Sequence, residues 1–325
     1  MAHPIDTTLA LLHDVMTAHR QALTRGPQTN APAAIFLPRG KRADLVLRLL
    51  AGVEKRVGIE VAQAPAEKLL RGLSAVDTGE IESWVSELEI LPTTHPQWLA
   101  LIESLTVHET YVMRDPAQLE HFAAQLPSLI AEAETSHRLN FWSVGCATGE
   151  EAYSIAALVF DAMLAAGRAA ATETAMTLVP PWRIEVLGSD VSRSVLDQAR
   201  AGLYETGPLS SFRAESALVL RHFPMTRDKG KARAAAPHLK AVTAFSPFNL
   251  VDSSLPDQKF DAVFCRNVLI YFSGRARRIA LDKLMHAVRP GGYLVLGPTD
   301  TLSDTALFDA VWGQDAVIYR RRQNG

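Results

Sequence analysis

Two apolar patterns follow one another along the chain. In the first hundred residues, apolar side chains recur three and four positions apart, the spacing of an amphipathic helix. They are Leu45, Leu49, Leu50, Val53 and Val57, and then Ile81, Trp84, Val85 and Leu88. From about residue 140, short apolar runs alternate with helical stretches: FWSVGC, RIEVLGSD and FDAVFCRN each precede one. This alternation predicts a small helical domain followed by a mostly parallel sheet with helices on its faces.

Some segments give weaker patterns. Residues 1–25 are predicted to form a separate helix, because three prolines interrupt the stretch that follows it. The Ala/Thr-rich run AAGRAAATETAMTLVPPW predicts a helix end and then a surface loop, while HLKAVTAF predicts a strand. Near the end, GGYLVLG and DAVIYRRR predict an antiparallel closing pair.

Composition and charge narrow the function classes. The 325 residues are 48% hydrophobic and 21% charged, with a formal net charge of −2, as in soluble globular proteins. This balance gives no general attraction to nucleic acid, and no apolar run has transmembrane length. Cys146 and Cys265 lack metal-ligand spacing, and the amino terminus lacks a signal-peptide pattern. We therefore expect a cytoplasmic protein with reduced thiols, no metal, no nucleic-acid partner and no membrane insertion.

The strongest motif is SVGCATGEEAYS, residues 143–154, in which a strand runs through a turn into a helix. Gly145 and Gly149 let the backbone approach a ligand closely. The three glycines of a dinucleotide-binding turn are absent, and Glu150 and Glu151 would repel a phosphate at the helix amino terminus. The pair of glutamates suits a cationic or hydroxylated ligand such as S-adenosylmethionine. Alternatively, one of the two simply complements the helix dipole.

Two further strands end in polar residues. Asp190 closes VLGSD, where an acidic side chain typically holds ribose hydroxyls, although it could instead cap the next helix. FDAVFCRNVLIYFS, residues 260–273, ends its apolar run at Arg266 and Asn267, and Tyr271 follows four residues later. Ligands in open α/β sheets bind beyond such carboxyl ends.

A fourth segment, ESLTVHETYVMRDP at residues 103–116, joins the helical region to the first strand. Thr110 and Arg114 are four residues apart, so on a helix they would share a face. Spacing alone favours a solvated surface charge for Arg114.

Taken together and in order, these four segments resemble the CheR family, the chemotaxis methyltransferases that act on receptor glutamates. The likeness runs from about Leu45 to Arg320 and is strongest in TGEEAYSIA and FDAVFCRNVLIYF. The resemblance implies an α/β fold, a Rossmann-like class I S-adenosylmethionine methyltransferase domain. It also implies a helical domain at 1–105 (1–40 matching poorly), a linker at 106–139 and a methyltransferase domain at 140–325. A small antiparallel β insertion is expected at about 214–249.

The resemblance also implies the site. Arg114 and Tyr271 correspond to the family's catalytic pair, so Arg114 becomes more than a surface charge. The cofactor is S-adenosyl-L-methionine and the product S-adenosyl-L-homocysteine. The residues expected around the cofactor are His108, Thr110, Arg114, Gly145, Glu151, Asp190, Asn249, Leu250, Arg266 and Asn267. His108 departs from the family, which usually has asparagine there.

The expected partner is an acidic helical region of a chemoreceptor or signalling protein, with a receptor-tail peptide possible at the β insertion. The family's receptor-facing helix is densely basic, but PAEKLLRGLSAVD offers only Lys68 and Arg71. That departure leaves three alternatives open: another protein substrate, a small-molecule substrate, or a module that binds the cofactor without turnover.

Overall fold

The computed structural model describes residues 35–106, 108–172, 175–207, 210–226, 231–302 and 306–323. They fall into two compact units. The first contains the described residues up to Glu109 together with Ile270–Ile279, and the second contains Thr110–Leu269 and the described residues from Ala280 onward. The predicted helix at 1–25 lies outside the described residues.

The first unit is helical, as its apolar spacing predicts. Its helices are α1 (Lys41–Val57), α2 (Gln63–Gly72), α3 (Thr78–Ile90) and α4 (Pro96–Leu105), with a short 3-10 turn at Leu73–Ala75. Gly58, in the left-handed conformation, ends α1, and the Asp77 carboxylate caps α3. The apolar faces of α1 and α3 form the core, with Leu49, Val53 and Leu88 almost fully buried. The helix predictions for this region are confirmed.

A close helix contact fixes the middle of α1. A Cβ on Gly52 would lie 2.6 Å from the Trp98 ring, so a larger residue does not fit there. The Trp98 indole Nε1 donates to the Leu88 carbonyl at 2.7 Å. A buried indole therefore has its one donor satisfied.

The second unit contains the strands. In chain order they are β1 (Arg138–Val144), β2 (Ala169–Ala171), β3 (Met176–Leu178), β4 (Arg183–Asp190), β5 (Leu203–Glu205), β6 (Ala232–Ala234), β7 (Thr243–Pro247), β8 (Phe260–Cys265), β9 (Val288–Leu296), β10 (Phe308–Trp312) and β11 (Val317–Arg321). Seven of them form one sheet in the order β10-β11-β9-β8-β1-β4-β7. The five strands from β9 to β7 are parallel, and β11 and β10 close the edge antiparallel.

This strand order confirms the Rossmann-like fold and the antiparallel closing pair of β9 and β11. The chain proceeds from β1 outward through β4 to β7 and then returns to β8 on the other side of β1. The reversal creates a switch point beyond the carboxyl ends of β1 and β8, where ligands bind in such folds.

The helices assigned to this unit are α5 (Pro116–Ala123), α6 (Leu126–Glu132), α7 (Glu150–Ala165), α8 (Arg193–Ala201), α9 (Ala217–His222) and α10 (Pro237–Val242). A further helix, α11 (Gly274–Ala287), begins in the first unit and ends in the second. The Phe122 ring of α5 meets the Phe264 ring of β8 edge-to-face, with 4.9 Å between centroids. This contact anchors α5, and with it the segment just before α5, to the sheet.

Two local predictions were wrong. The Ala/Thr-rich run contains the hairpin β2–β3 rather than a loop alone. HLKAVTAF does not form one strand, because Pro237 begins helix α10 and only Thr243–Pro247 extends, as β7 of the main sheet. The expected antiparallel β insertion is present as the two-stranded sheet of β5 and β6, although β5 lies before the expected range of about 214–249.

The part of the chain that the structure describes has no helix long and apolar enough to cross a membrane. It also groups no three His, Cys, Asp or Glu side chains in a way that could hold a metal ion.

Candidate functional site

The turn after β1 depends on a glycine. Gly145 has φ 71°, and its N–H and that of Cys146 donate to the Ser189 carbonyl at 2.7 and 2.9 Å. A Cβ on Gly145 would lie 2.4 Å from the Val268 Cγ2. Both the left-handed backbone and the close neighbour therefore require glycine at this position.

Asp190 lies beside this turn at the end of β4. Its Oδ2 accepts from the Ala147 N–H and its Oδ1 from the Ser192 N–H, each at 3.0 Å. The Ser192 hydroxyl, not Asp190, caps helix α8 by accepting from the Val195 N–H. Each Asp190 oxygen still has acceptor capacity, so the carboxylate can also bind ligand hydroxyls.

The two glutamates that begin α7 differ in their surroundings. Glu150 is 2% exposed, and its oxygens accept from the Thr148 and Ser211 hydroxyls at 2.7 Å each. Burial raises the pKa of the Glu150 carboxyl, although both hydrogen bonds oppose the shift. Glu150 is thus more than a surface charge that complements the helix dipole, since it connects α7 to the segment around Ser211.

Glu151 pairs with Arg266 at the end of β8. The Ser143 hydroxyl donates to one Glu151 oxygen at 2.7 Å, and the Arg266 Nη1 donates to the other at 3.1 Å. The Arg266 side chain is 1% exposed, and its Nε donates to the Gln118 Oε1 at 3.0 Å. Arg266 also donates from Nη2 to the Arg114 carbonyl. One buried guanidinium therefore joins β8, α7, α5 and the segment that contains Arg114.

The segment Thr110–Arg114 is not helical, so the two residues do not share a helix face as the spacing suggested. The Val112 N–H donates to the Ser211 carbonyl at 2.9 Å, and the Met113 N–H donates to the Ser154 hydroxyl at 3.0 Å. Arg114 is partly buried, with its guanidinium carbon 5.8 Å from the centre of the Tyr111 ring. Spacing alone favours a solvated charge for Arg114, whereas the structure places this residue partly buried beside the Tyr111 ring.

The remaining candidates of the second unit also follow strands. Asn249 comes after β7, where its Oδ1 accepts from the Val251 N–H at 3.0 Å, and Leu250 is buried. Asn267 follows Arg266 with φ 59°, a left-handed conformation that asparagine tolerates. Thr110, Gly145, Glu151, Asp190, Asn249, Leu250, Arg266 and Asn267 thus all belong to the second unit. Their contact with the cofactor stays a prediction.

Two predicted site residues belong to the first unit. His108 Nε2 lies 3.0 Å from the Thr106 hydroxyl. Tyr271 is 36% exposed, and its carbonyl accepts from the Glu60 N–H at 2.8 Å.

Sequence reasoning missed the residues that hold the site together. Gln118 and Ser211 lie in no motif, and Ser143 and Ser154 stand at the two ends of SVGCATGEEAYS without a predicted role. No helix or strand spacing connects these four residues to the residues they contact. One available signal was the Asp-Pro step after Arg114, which marks the start of a helix: Pro116 is at the first position of α5.

The electrostatics of the carboxyl edge fit S-adenosylmethionine. Asp190 and the Glu150–Glu151 pair supply carboxylates beside the turn, and Glu151 neutralises Arg266. Such surroundings favour a sulfonium cation and hydroxyl groups over a phosphate.

Comparisons with known proteins found a matching family model, similar relatives and similar solved structures. Residues 108–317 match a family model described as CheR methyltransferase, SAM binding domain. The chain is 31% identical over 230 residues to chemotaxis protein methyltransferase 1 of Pseudomonas aeruginosa, covering 68% of this chain and 77% of that protein. It is 30% identical over 278 residues to the chemotaxis protein methyltransferase of Salmonella typhimurium, covering 81% and 85%. Among solved structures, N-methyltransferase NodS from Bradyrhizobium japonicum with S-adenosyl-L-homocysteine aligns at TM-score 0.33 and 15% identity, over 66% of this chain and 91% of that one.

Proposed function

Because the chain belongs to the CheR methyltransferase family and uses S-adenosylmethionine as its cofactor, we propose that it methylates glutamate carboxylates on a chemoreceptor or a related signalling protein. The observation that carries the proposal is the position of Arg114. Its carbonyl accepts from Arg266, which is bonded to Glu151 at the start of α7, so the catalytic candidate is held at the edge where the cofactor residues gather.

A glutamate acceptor suits a site without a general base. The reference pKa of a glutamate side chain is about 4.3, so the carboxylate is already ionised at neutral pH. The cofactor supplies an activated methyl group on a sulfonium. The task left to the protein is alignment, and a guanidinium such as that of Arg114 can hold a carboxylate through two parallel hydrogen bonds. Tyr271, with an apolar ring and a polar tip, is the second catalytic residue of the proposal.

Four cations of the first unit are paired with carboxylates or buried, which favours a dedicated partner over a generic acidic receptor. On α2, Arg71 lies 3.6 Å from the Glu67 carboxylate, and the Lys68 Nζ is buried, which lowers the pKa of that ammonium. On α1, Lys41 pairs with Glu82. Arg48 likewise pairs with Glu89 at 2.7 Å.

The surface that corresponds to the family's receptor-facing helix therefore attracts acidic helices weakly. We propose as substrate a divergent receptor or signalling protein of the same organism, acting in the cytoplasm. From the same resemblance we place a receptor-tail peptide, where one is used, along the β5–β6 sheet.

The test is transfer of tritiated methyl from the cofactor to proteins of the source organism, followed by mild alkali. We expect a labelled protein that releases volatile methanol, because glutamyl methyl esters are base-labile. A base-stable product would contradict carboxylate chemistry and favour another acceptor group. Cofactor binding without transfer to any extract protein would instead identify a module without turnover.

A further inference from the structure

The turn between β1 and α7, residues 145–149, contains an unfavourable backbone conformation. Ala147 has φ 46°, and Gly149 has φ 93°. Glycine adopts positive φ without strain, whereas in alanine the Cβ comes too close to the following carbonyl oxygen. A strained conformation of this kind persists only where the surrounding groups hold it. The hydrogen bonds made by this turn therefore decide how well it keeps its shape.

Two of these hydrogen bonds come from acidic residues of the site. The Ala147 N–H donates to the Asp190 carboxylate at 3.0 Å, and the Thr148 hydroxyl donates to the Glu150 carboxylate at 2.7 Å. A third comes from β5, where the Tyr204 hydroxyl donates to the Thr148 carbonyl at 2.9 Å. Strand β5 belongs to the small β5–β6 sheet and not to the main sheet. The β5–β6 sheet therefore reaches the turn through one hydroxyl group.

The side chain of Tyr204 is itself held firmly. It is 5% exposed, and its ring lies edge-to-face against the Phe212 and Tyr153 rings, with centroids 6.2 and 6.4 Å away. Burial raises the pKa of the Tyr204 hydroxyl, so this group stays protonated and remains a hydrogen-bond donor at neutral pH. A buried tyrosine of this kind places its polar tip accurately.

We propose that Tyr204 is a positioning residue for the cofactor: through the Thr148 carbonyl, its hydroxyl holds the turn between β1 and α7 in the conformation that binds S-adenosylmethionine. The apparent affinity for a ligand falls in proportion to the fraction of protein in the binding conformation. Loss of the hydroxyl should therefore weaken cofactor binding even though Tyr204 acts only through Thr148. The inference goes beyond the proposed function, because it concerns the cofactor and not the methyl acceptor.

The main test is Tyr204→Phe, which keeps the ring and removes the hydroxyl. We expect the dissociation constant of S-adenosylhomocysteine, measured by calorimetry, to rise roughly two- to tenfold, the range for loss of one neutral hydrogen bond. In the tritium assay the KM for S-adenosylmethionine should rise by a similar factor. The kcat should stay within about twofold of wild type, since saturating cofactor restores the turn.

Hydrogen exchange of the turn gives a second readout that a purely structural role would not change. Without ligand, the amides of Ala147 and Gly149 should exchange faster in Tyr204→Phe than in the wild-type protein. With saturating S-adenosylhomocysteine, the two proteins should exchange alike. Tyr293→Phe is the matched control, because Tyr293 is a buried tyrosine of β9 whose hydroxyl lies 3.4 Å from the Gln125 Oε1. It should keep the wild-type dissociation constant and the wild-type exchange of the turn.

A second substitution tests whether the hydroxyl acts on the strained backbone. Ala147→Gly removes the penalty for positive φ, because glycine adopts it about as readily as negative φ. Added to Tyr204→Phe, it should return the dissociation constant to within about twofold of wild type.

Three results would overturn the inference. They are a wild-type dissociation constant and wild-type exchange in Tyr204→Phe, an equal weakening of binding in Tyr293→Phe, or no recovery on adding Ala147→Gly. If the wild-type protein binds S-adenosylhomocysteine but transfers no base-labile methyl group, the proposed glutamate substrate is wrong, whereas the role of Tyr204 is still decided by calorimetry.

Discussion

Replacement of Arg266 by methionine tests whether one buried guanidinium holds the site together. Methionine is unbranched and of similar length, so it fills most of the volume but makes none of the hydrogen bonds. The change leaves Glu151 with only the Ser143 hydroxyl as a partner, and it leaves the Gln118 Oε1 and the Arg114 carbonyl without their donor. We expect the protein to lose both stability and methyl transfer.

The magnitude follows from burial. The side chains of Arg266 and Glu151 are 1% and 12% exposed, so removal of one partner leaves a charge that water barely reaches. Breaking a buried ion pair in this way costs about 3 to 5 kcal/mol. At about 2 to 4 °C per kcal/mol for a domain of this size, the thermal midpoint should fall by roughly 6 to 20 °C.

Thermal and urea unfolding followed by circular dichroism, together with methyl transfer well below the midpoint, measure both effects. Glu151→Gln should remove much of the same interaction. The free energy of unfolding lost in the double variant Arg266→Met/Glu151→Gln should therefore be smaller than the sum of the two single losses, by about 0.5 to 3 kcal/mol. Arg289→Met is the control, because Arg289 forms an ion pair that is not part of the site. Its Nε lies 2.6 Å from the Asp261 Oδ1. This variant should lower the thermal midpoint but leave methyl transfer, measured well below the midpoint, unchanged. A wild-type midpoint and wild-type transfer in Arg266→Met would refute the reasoning.

Three further predictions concern single residues. Asp190→Asn should weaken binding of S-adenosylhomocysteine by about 1 to 3 kcal/mol through loss of charged acceptors, and unchanged calorimetric affinity would remove Asp190 from the site. Gly145→Ala should lower the free energy of unfolding, measured in urea, by about 1 to 3 kcal/mol. Adding Val268→Ala should recover only the part of this loss that comes from the 2.4 Å approach to Val268, because the φ of 71° remains unfavourable for alanine. Burial raises the pKa of Glu150 in the folded state above its value in the unfolded state. The protonated carboxyl therefore stabilises the fold fully at a pH below the unfolded-state pKa, and this stabilisation is lost as pH rises through the folded-state pKa. Glu150→Gln should therefore gain stability relative to wild type as pH rises above the reference pKa of glutamate, about 4.3. A difference in the free energy of urea unfolding that does not change with pH would contradict this.

The sequence predicted the central sheet well because its strands are buried on both faces. All six residues of β8 are buried, and such continuous apolar runs are easily recognised. The strands that it missed are short or exposed: β10 buries only Phe308, and β2 buries only Ala169. In HLKAVTAF the alternation of apolar residues suggested a strand, but Pro237 could have indicated a helix start.

The site was predicted only in part for a different reason. Strand ends revealed Asp190 and Arg266, because the carboxyl edge of a parallel sheet is defined by where apolar runs stop. The partners of these residues lie far away in sequence: Gln118 and Arg266 are 148 positions apart. No periodicity within one element encodes such a contact, and the resemblance to a family supplied Arg114 where spacing had favoured a surface role.

The placement of Arg114 has a consequence for how the site responds to mutation. Its segment has no regular secondary structure, and its backbone is held by Ser211, Ser154 and Arg266, each from a different part of the second unit. Loss of one such hydrogen bond costs only about 1 kcal/mol of stability, since it removes little buried apolar surface. A shift of about 1 Å in a group that aligns reactants can nevertheless lower the rate by about a hundredfold. Activity should therefore be far more sensitive than folding to changes at these three supports. Rigid elements carry the fold, whereas a few hydrogen bonds set the position of the arginine that we propose as catalytic.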